Sequence, residues 1–164
     1  MIEDTKITPF FLNSNPDINI VEMDTVEGIK GGKVLLTIHF VNCSFMLAFI
    51  REHNDAQSVI DIFNMIENKF GIELFKKLFP VILTDNGSEF SNPTEIEFNM
   101  NTGELRTKIF YCEPGRPNQK GACEVNHEMI RRILPKGTSL DNLTQEDINL
   151  MMSHINSYKR KKTK

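Results

Sequence analysis

The sequence predicts a mixed α/β protein in which one five-stranded sheet is flanked by helices. Three observations predict this class: β-rich apolar runs in the first third of the chain, a long helical stripe after them, and a compact apolar strand after this helix. A strand that follows a helical crossover of this length pairs in parallel with an earlier strand. The 164 residues suffice for one domain with a single core. The sheet is therefore predicted to hold three antiparallel strands and then two parallel ones.

The first three strands are predicted at residues 20–25, 34–40 and 45–50. A glycine-containing turn separates the first two, and a short polar connection at residues 42–44 joins the second to the third. This spacing is typical of an antiparallel meander.

The centre of the chain predicts a helix and then the fourth strand. Asn54 or Asp55 can cap this helix, and a second, shorter helical segment at residues 73–78 ends before Pro80. The fourth strand, at residues 81–83, is short and apolar. The buried stripe predicted for the first of these helices consists of Val59, Ile62, Phe63, Ile66 and Phe70.

The last third of the chain predicts a short helix, a fifth strand and two longer helices. The short helix covers residues 94–98 after Pro93, and the strand covers residues 107–111. Thr144 and Asp147 form the pattern of a capping box that starts the last helix.

The helix predicted at residues 120–134 has two different faces. The apolar residues predicted to face the core are Ala122, Val125, Met129 and Ile133. The charged residues Lys120, Glu124, Glu128 and Arg131 share another face, at spacings of three and four residues. The helix is therefore predicted to bury one side and to present an acid with two flanking bases on the other.

Composition and charge argue against several classes of protein. Apolar residues make up 40% of the chain and charged residues 25%, which is the balance of a soluble globular protein. Three cysteines without a C-x-x-C spacing argue against a disulfide framework or a cysteine-rich zinc site, and they fit a reducing cytoplasm. The chain shows no signal-peptide pattern and no apolar run long enough for a membrane span, so we expect no membrane association.

The net charge of −3 bears on the kind of partner that the chain can bind. Residues 159–164 contain five of the nineteen positive residues, so the rest of the chain is more acidic still. A free-standing nucleic-acid-binding domain is usually basic, because its affinity comes mainly from neutralised phosphates. If this chain acts on nucleic acid, other segments or bound cations must supply much of the attraction.

Three carboxylates lie where a metal site with oxygen ligands can form. Asp24 is on the first strand, Asp85 follows the fourth strand, and Glu124 lies one turn into a helix. A parallel pairing of the first and fourth strands puts both aspartates near one edge of the sheet, where open α/β sheets bind ligands. Carboxylates held close together repel one another, and a hard cation such as Mg²⁺ or Mn²⁺ relieves that repulsion. Two such ions can support phosphoryl transfer.

Taken one at a time, the same acids have simpler interpretations. Asp24 can be a turn residue at the end of a strand, and Asp85 can initiate a turn before Asn-Gly. Glu124 can be an ordinary solvated helix residue. Spacing and composition leave both interpretations open.

The segments around these acids resemble the catalytic blocks of DDE transposases and retroviral-type integrases. Residues 21–26 (VEMDTV) and 83–90 (LTDNGSEF) resemble the first two blocks, and residues 115–126 (GRPNQKGACEVN) resemble the glutamate block. Residues 130–138 (IRRILPKGT) are most similar to bacterial insertion-sequence transposases with an R-R-x-x-P-K-G stretch after the catalytic glutamate. All three blocks occur in the family's order.

The resemblance implies a ribonuclease-H-like fold and a polynucleotidyl transferase. It makes Asp24, Asp85 and Glu124 the catalytic residues and the ligands of two Mg²⁺ or Mn²⁺ ions. The expected reactions are phosphodiester hydrolysis and DNA strand transfer, that is, DNA integration and transposition. Arg131 matches a position where the family often has a base facing DNA, and Lys120 is a second candidate for a phosphate contact.

The resemblance also implies an organisation and a setting. It makes residues 18–158 the catalytic core, while residues 1–17, which are polar and aperiodic, are expected to be an arm or linker and residues 159–164 a basic tail. The implied partners are mobile-element ends, target DNA and further copies of the chain in a dimer or larger assembly. Relatives carry an N-terminal helix-turn-helix region, which this chain is expected to lack. The implied location is the bacterial cytoplasm, at the nucleoid during the reaction.

Two rival functions and one residue remain open. A ribonuclease-H-like nuclease typically has a further acid on the first helix after the meander, for which Asp61 or Glu67 is the nearest candidate. A non-catalytic remnant could serve as a nucleic-acid or protein interaction domain. His127 stands three residues after Glu124, where it contacts DNA, joins the surroundings of the metal, or is a surface histidine with satisfied hydrogen bonds.

Overall fold

A computed structural model of the chain describes residues 9–113 and 121–158. The strands in these ranges are β1 (Ile20–Glu27), β2 (Val34–Phe40), β3 (Phe45–Arg51), β4 (Val81–Thr84) and β5 (Ile109–Tyr111). The helices in the same ranges are α1 (Pro9–Ser14), α2 (Ala56–Phe70), α3 (Ile72–Leu78), α4 (Pro93–Glu97), α5 (Gly121–Ile133) and α6 (Gln145–Ser157). Short 3₁₀ turns occur at Val41–Cys43 and Ser88–Phe90.

The five strands form one mixed sheet in the order β3-β2-β1-β4-β5. β1 pairs antiparallel with β2, and β2 pairs antiparallel with β3. β4 pairs in parallel with both β1 and β5. The predicted meander, the parallel crossover and the five-stranded mixed sheet are thereby confirmed.

One face of the sheet carries the larger apolar core. Val21 and Met23 of β1 and Ile38 of β2 lie on this face and pack against α2. The carboxylate of Asp55 caps α2 by accepting a hydrogen bond from the backbone N–H of Ser58, at 2.8 Å. Of the five residues predicted to form the buried stripe of α2, Phe70 is the exception, because it lies at the end of the helix and is exposed.

The opposite face of the sheet is divided by a polar strip. At one end α6 and the C-terminal half of α5 cover an apolar cluster that includes Val26, Leu35 and Met152. At the other end a separate cluster forms around Val81, Leu83 and Phe110. Between the two clusters lie polar side chains of β1 and β2: Glu22, Asp24, Thr37 and His39. These are neighbours across the strands, because Glu22 pairs with His39 and Asp24 pairs with Thr37.

Helix α1 was not predicted from the sequence. It lies within residues 1–17, the segment expected to be a polar arm, and its Phe11 ring packs 5.1 Å from the ring of Phe110, measured between centroids. Phe11 thereby covers the apolar cluster beside β4 and β5. A six-residue helix has too few residues for a periodic apolar pattern, which is why the sequence gives no signal for it.

Helix α6 closes the outer edge of the sheet. Its N-terminus has the predicted capping box between Thr144 and Asp147. The side chain of Asn156 bonds to both backbone groups of Met46 on β3, at 3.0 and 2.8 Å. Side chains of α6 therefore satisfy backbone groups that an edge strand would otherwise leave open.

None of the helices in residues 9–113 and 121–158 combines the length and the apolar composition that a membrane span requires.

Candidate active site

The parallel pairing of β1 with β4 brings two of the predicted site residues to one edge of the sheet. The register pairs Glu22 with Leu83, and the hydroxyl of Thr84 donates to the backbone carbonyl of Met23 at 3.0 Å. Asp24 follows Met23 on β1, and Asp85 follows Thr84, the last residue of β4. Neighbouring strands lie about 4.8 Å apart, so the two aspartates begin from adjacent backbone positions.

The two aspartates differ in how they are held. Asp24 is half-buried on the polar strip, and its carboxylate accepts a hydrogen bond from the backbone N–H of Thr25 at 2.8 Å. Asp85 is exposed in the loop after β4, and its carboxylate accepts from the backbone N–H of Gly87 at 2.9 Å. Each backbone donor fixes one carboxylate oxygen and leaves further lone pairs for another ligand.

The third predicted acid lies on the helix that crosses the polar strip. Glu124 is in the first turn of α5 and its side chain is exposed. Arg131, predicted to contact DNA, lies two turns further along the same helix and is partly buried. Lys120, the other predicted DNA contact, lies outside the described residues.

His127 joins α5 to the sheet beside Asp24. The hydroxyl of Thr37 donates to the backbone carbonyl of Asp24 at 3.2 Å, and its oxygen also lies within hydrogen-bond distance of Nε2 of His127, at 2.7 Å. The Nδ1 atom of His127 then faces Oδ2 of Asp24 at 3.9 Å. These contacts bond one ring nitrogen of His127 and place the imidazole between the helix of Glu124 and the strand of Asp24.

The predicted core face of α5 is wrong at two residues, whereas Met129 packs as predicted against the apolar cluster that α6 covers. Val125 and Ile133 are exposed, with 55% and 52% of their surface accessible, whereas Asn126 and Ile130 are completely buried. The helix is turned so that polar residues meet the polar strip of the sheet below them. The side-chain nitrogen and oxygen of Asn126 find no hydrogen-bond partner within the described part of the chain. Apolar periodicity misplaces this face because it assumes that every buried side chain is apolar.

The donor set fits a hard divalent cation in its chemistry. Asp24, Asp85 and Glu124 offer only carboxylate oxygens, which are the ligands that Mg²⁺ and Mn²⁺ prefer. Within residues 9–113 and 121–158, however, no three His, Cys, Asp or Glu side chains already converge as a metal-binding group. Three negative charges repel one another unless a cation joins them. A cation could therefore join the three acids only if their side chains moved together.

The two candidates for the further acid of a ribonuclease-H-like nuclease, Glu67 and Asp61, form hydrogen bonds with other side chains of the fold. Glu67 is buried and bonds to Nη1 of Arg106 at 2.6 Å and to the amide of Asn99 at 2.5 Å. Asp61 is exposed and accepts from Gln57 one turn before it on α2. The Glu67 contacts tie α2 to the segment before β5 and make this carboxylate a structural group.

Replacing Thr37 by Val should lower the free energy of unfolding by about 1–2 kcal/mol, because it removes the hydroxyl that joins Asp24 and His127. Thr107→Val is the matched control. Its hydroxyl is equally buried but has no hydrogen-bond partner among the described residues, so the change should be neutral or stabilising. Urea unfolding of both variants in EDTA measures the difference, and equal effects would contradict the role assigned to Thr37.

Comparison with known proteins relates the chain to mobile-element enzymes. No protein-family model matches the chain. The transposase InsI for insertion sequence element IS30A of Escherichia coli K12 is 26% identical over 143 residues, which cover 87% of this chain and 35% of that transposase. The transposase for insertion sequence element IS4351 of Bacteroides fragilis is 31% identical over 142 residues, which cover 87% of this chain and 40% of that protein. The chain thus spans less than half the length of these relatives.

The fold has a counterpart among solved structures. The crystal structure of the catalytic core domain of BIV integrase superimposes with a TM-score of 0.57 and covers 87% of this chain and 86% of that chain. The sequence identity of 15% limits this likeness to the fold. The chain is therefore similar in sequence to insertion-sequence transposases and has the ribonuclease-H-like fold of a retroviral integrase catalytic core.

Proposed function

We propose that this chain is the catalytic core of a DNA transposase or integrase. Its reaction hydrolyses a phosphodiester at the end of a mobile element and then joins the resulting 3′-hydroxyl to target DNA. The observation that carries the proposal is the parallel pairing of β1 with β4, whose strands lead into Asp24 and Asp85 side by side. The similarity to transposases over most of the chain supports the same class of reaction.

Asp24, Asp85 and Glu124 would hold the divalent cations, Mg²⁺ or Mn²⁺, with two ions in each site. Two such ions supply charge stabilisation for the attacking and the leaving oxygen of an in-line displacement. The chain itself contributes orientation: backbone N–H groups fix one oxygen of Asp24 and one of Asp85. The bond of His127 with Thr37 holds the helix of Glu124 against β2, and the Thr37 hydroxyl also bonds to the Asp24 carbonyl of β1. Positioning and charge account for catalysis, and no side-chain nucleophile is required.

The proposed partner is DNA, at the ends of the element and at the target. The net charge of −3 means that bound cations and a few bases, Arg131 and Lys120 among them, must offset phosphate repulsion. Joining two element ends requires two or more copies of the chain on the DNA. The proposed setting of the reaction is the bacterial cytoplasm.

Calorimetric titration of Mn²⁺ into the metal-free chain tests the proposal. We expect saturable binding by the wild type and at least a tenfold weaker affinity in Glu124→Gln, since a ligand is lost. Glu128→Gln is the matched control, because it removes the same charge from an exposed position one turn further along α5. Its affinity should stay within about twofold of wild type. Equal losses in the two variants would mean general electrostatic attraction, and no saturable binding would favour a non-catalytic domain.

A further inference from the structure

The buried carboxylate of Glu89, near Asp85, has no role in the candidate site as described above. Glu89 lies in the 3₁₀ turn Ser88–Phe90, four residues after Asp85, and only 8% of its surface is accessible. Its Oε1 atom accepts a hydrogen bond from the hydroxyl of Thr25 at 2.7 Å. Thr25 follows Asp24 directly, and its backbone N–H is the donor that fixes the Asp24 carboxylate. One residue of β1 is thus bonded to Asp24 on one side of the sheet and to Glu89 on the other.

Glu89 is also packed against the loop that carries Asp85. A Cβ atom added at Gly87 would stand 2.5 Å from Oε2 of Glu89 and 3.1 Å from Oδ1 of Asp85. Only a residue without a side chain allows both carboxylates to approach this backbone so closely. The Glu89 carboxylate therefore lies between the Asp85 loop and β1.

A buried arginine balances the charge of Glu89. The Arg51 side chain is almost completely buried, and its Nη2 atom donates to the Thr25 hydroxyl at 3.0 Å. Its Nη1 atom donates to the hydroxyl of Ser58 at 3.0 Å. Burial lowers the pKa of the Arg51 guanidinium from its ordinary value, and the negative charges of Glu89 and then Asp55 act against that shift. The hydroxyl of Thr25 is thus held between a buried cation and a buried anion.

We propose that Glu89 is a positioning residue that, through Thr25, holds the Asp85 loop against β1 at the separation that a cation shared with Asp24 requires. Thr25 lies on the α2 face of the sheet, where alternate residues of β1 join the main core, while Asp24 lies on the opposite face. Glu89 therefore acts on the site from behind the sheet and not as a ligand. This inference rests on the proposed function, because it concerns the same metal site.

The test is Mn²⁺ calorimetry on four variants of the whole chain, with thermal unfolding of each metal-free protein. Glu89→Gln removes the negative charge of the carboxylate that bonds to Thr25, and Thr25→Val removes the Thr25 hydroxyl without changing any charge. Both should weaken Mn²⁺ affinity about tenfold, as is usual for residues that orient metal ligands. Thr25→Ser keeps the hydroxyl and should stay within about twofold of wild type.

Glu67→Gln is the control for simple loss of stability. Glu67 and Glu89 are both 8% exposed, and each belongs to a network with a buried arginine, but Glu67 serves the contact between α2 and the segment before β5. Glu67→Gln should lower the melting temperature and leave Mn²⁺ affinity unchanged.

Three results would overturn the inference. Unchanged affinity in Glu89→Gln and Thr25→Val would make the network purely structural. Weaker binding in Glu89→Gln but not in Thr25→Val would attribute the loss of affinity to the removed negative charge and not to the hydrogen bond with Thr25. Absence of saturable binding by wild type would overturn the proposed metal site itself, which distinguishes that failure from the first two. If Glu89→Gln does not fold, the isosteric Thr25→Val variant decides the question.

Discussion

Replacing Asp85 by Asn is expected to lower Mn²⁺-dependent nicking of supercoiled DNA by a factor on the order of 10²–10³ or more, since charge stabilisation at the reacting phosphate is lost. The metal-free protein should nevertheless be as stable as wild type, or slightly more stable. Asp85 is exposed, and the hydrogen bond that its carboxylate accepts from the N–H of Gly87 can be made equally well by the amide oxygen of Asn. Removing a negative charge near Asp24 also relieves repulsion.

Asp141→Asn is a matched control for Asp85→Asn. Asp141 is also exposed, and its carboxylate likewise accepts a hydrogen bond from a backbone N–H, that of Lys33, at 2.9 Å. Nicking by this variant should match wild type. Plasmid nicking and urea unfolding in EDTA, measured on both variants, separate chemistry from folding. A clear loss of metal-free stability in Asp85→Asn would instead indicate a structural role for Asp85.

Replacing Arg106 by Met should lower the free energy of unfolding by about 3–5 kcal/mol, because it leaves the carboxylate of Glu67 buried without a cation. Arg106 is 2% exposed and forms a 2.6 Å ion pair with Glu67. Its guanidinium also donates to the backbone carbonyls of Ile96 and Glu95, at 2.8 and 2.9 Å, and lies 5.1 Å from the ring centre of Phe75. Urea unfolding measures the loss.

Two further variants isolate the buried charge as the cause. The double variant Glu67→Gln with Arg106→Met removes both charges, so it should be more stable than Arg106→Met alone. Lys76→Met breaks an ion pair with Glu104 in which both side chains are partly exposed, and it should change stability only slightly. A loss in Lys76→Met as large as that in Arg106→Met would contradict the argument.

The parts of the fold that depend on local pattern were predictable. The bounds of the first four strands and of α2 followed closely from periodicity, whereas β5 begins two residues later than predicted, at Ile109. The caps at Asp55 and Thr144 followed from the residues that satisfy free N–H groups at helix starts. The parallel orientation of β4 followed from the length of the crossover between the third and fourth strands. These signals lie within a few residues of the positions they determine.

The parts that depend on distant contacts were not predictable. The buried face of α5 packs against the polar strip of β1 and β2. The sequence of residues 121–133 contains no pattern that identifies the side chains against which Asn126 packs. The contact of His127 with Thr37 had one available signal, its position one turn after Glu124 on the same side of the helix. From the sequence alone, Arg51 and Glu89 would both be predicted to be exposed charged residues on the surface. Their burial depends on Thr25, which lies between them only in the folded chain.

The parallel pairing of β1 with β4 has a consequence for the order in which the chain folds. The meander of the first three strands forms from neighbouring hairpins, whereas the pairing of β4 with β1 closes a loop that contains β2, β3, α2 and α3, so we expect this pairing to form later. Asp24 and Asp85 therefore become neighbours late, at a step that also completes much of the main core. If the proposed cation site exists, a newly made chain would acquire it only once that step is finished.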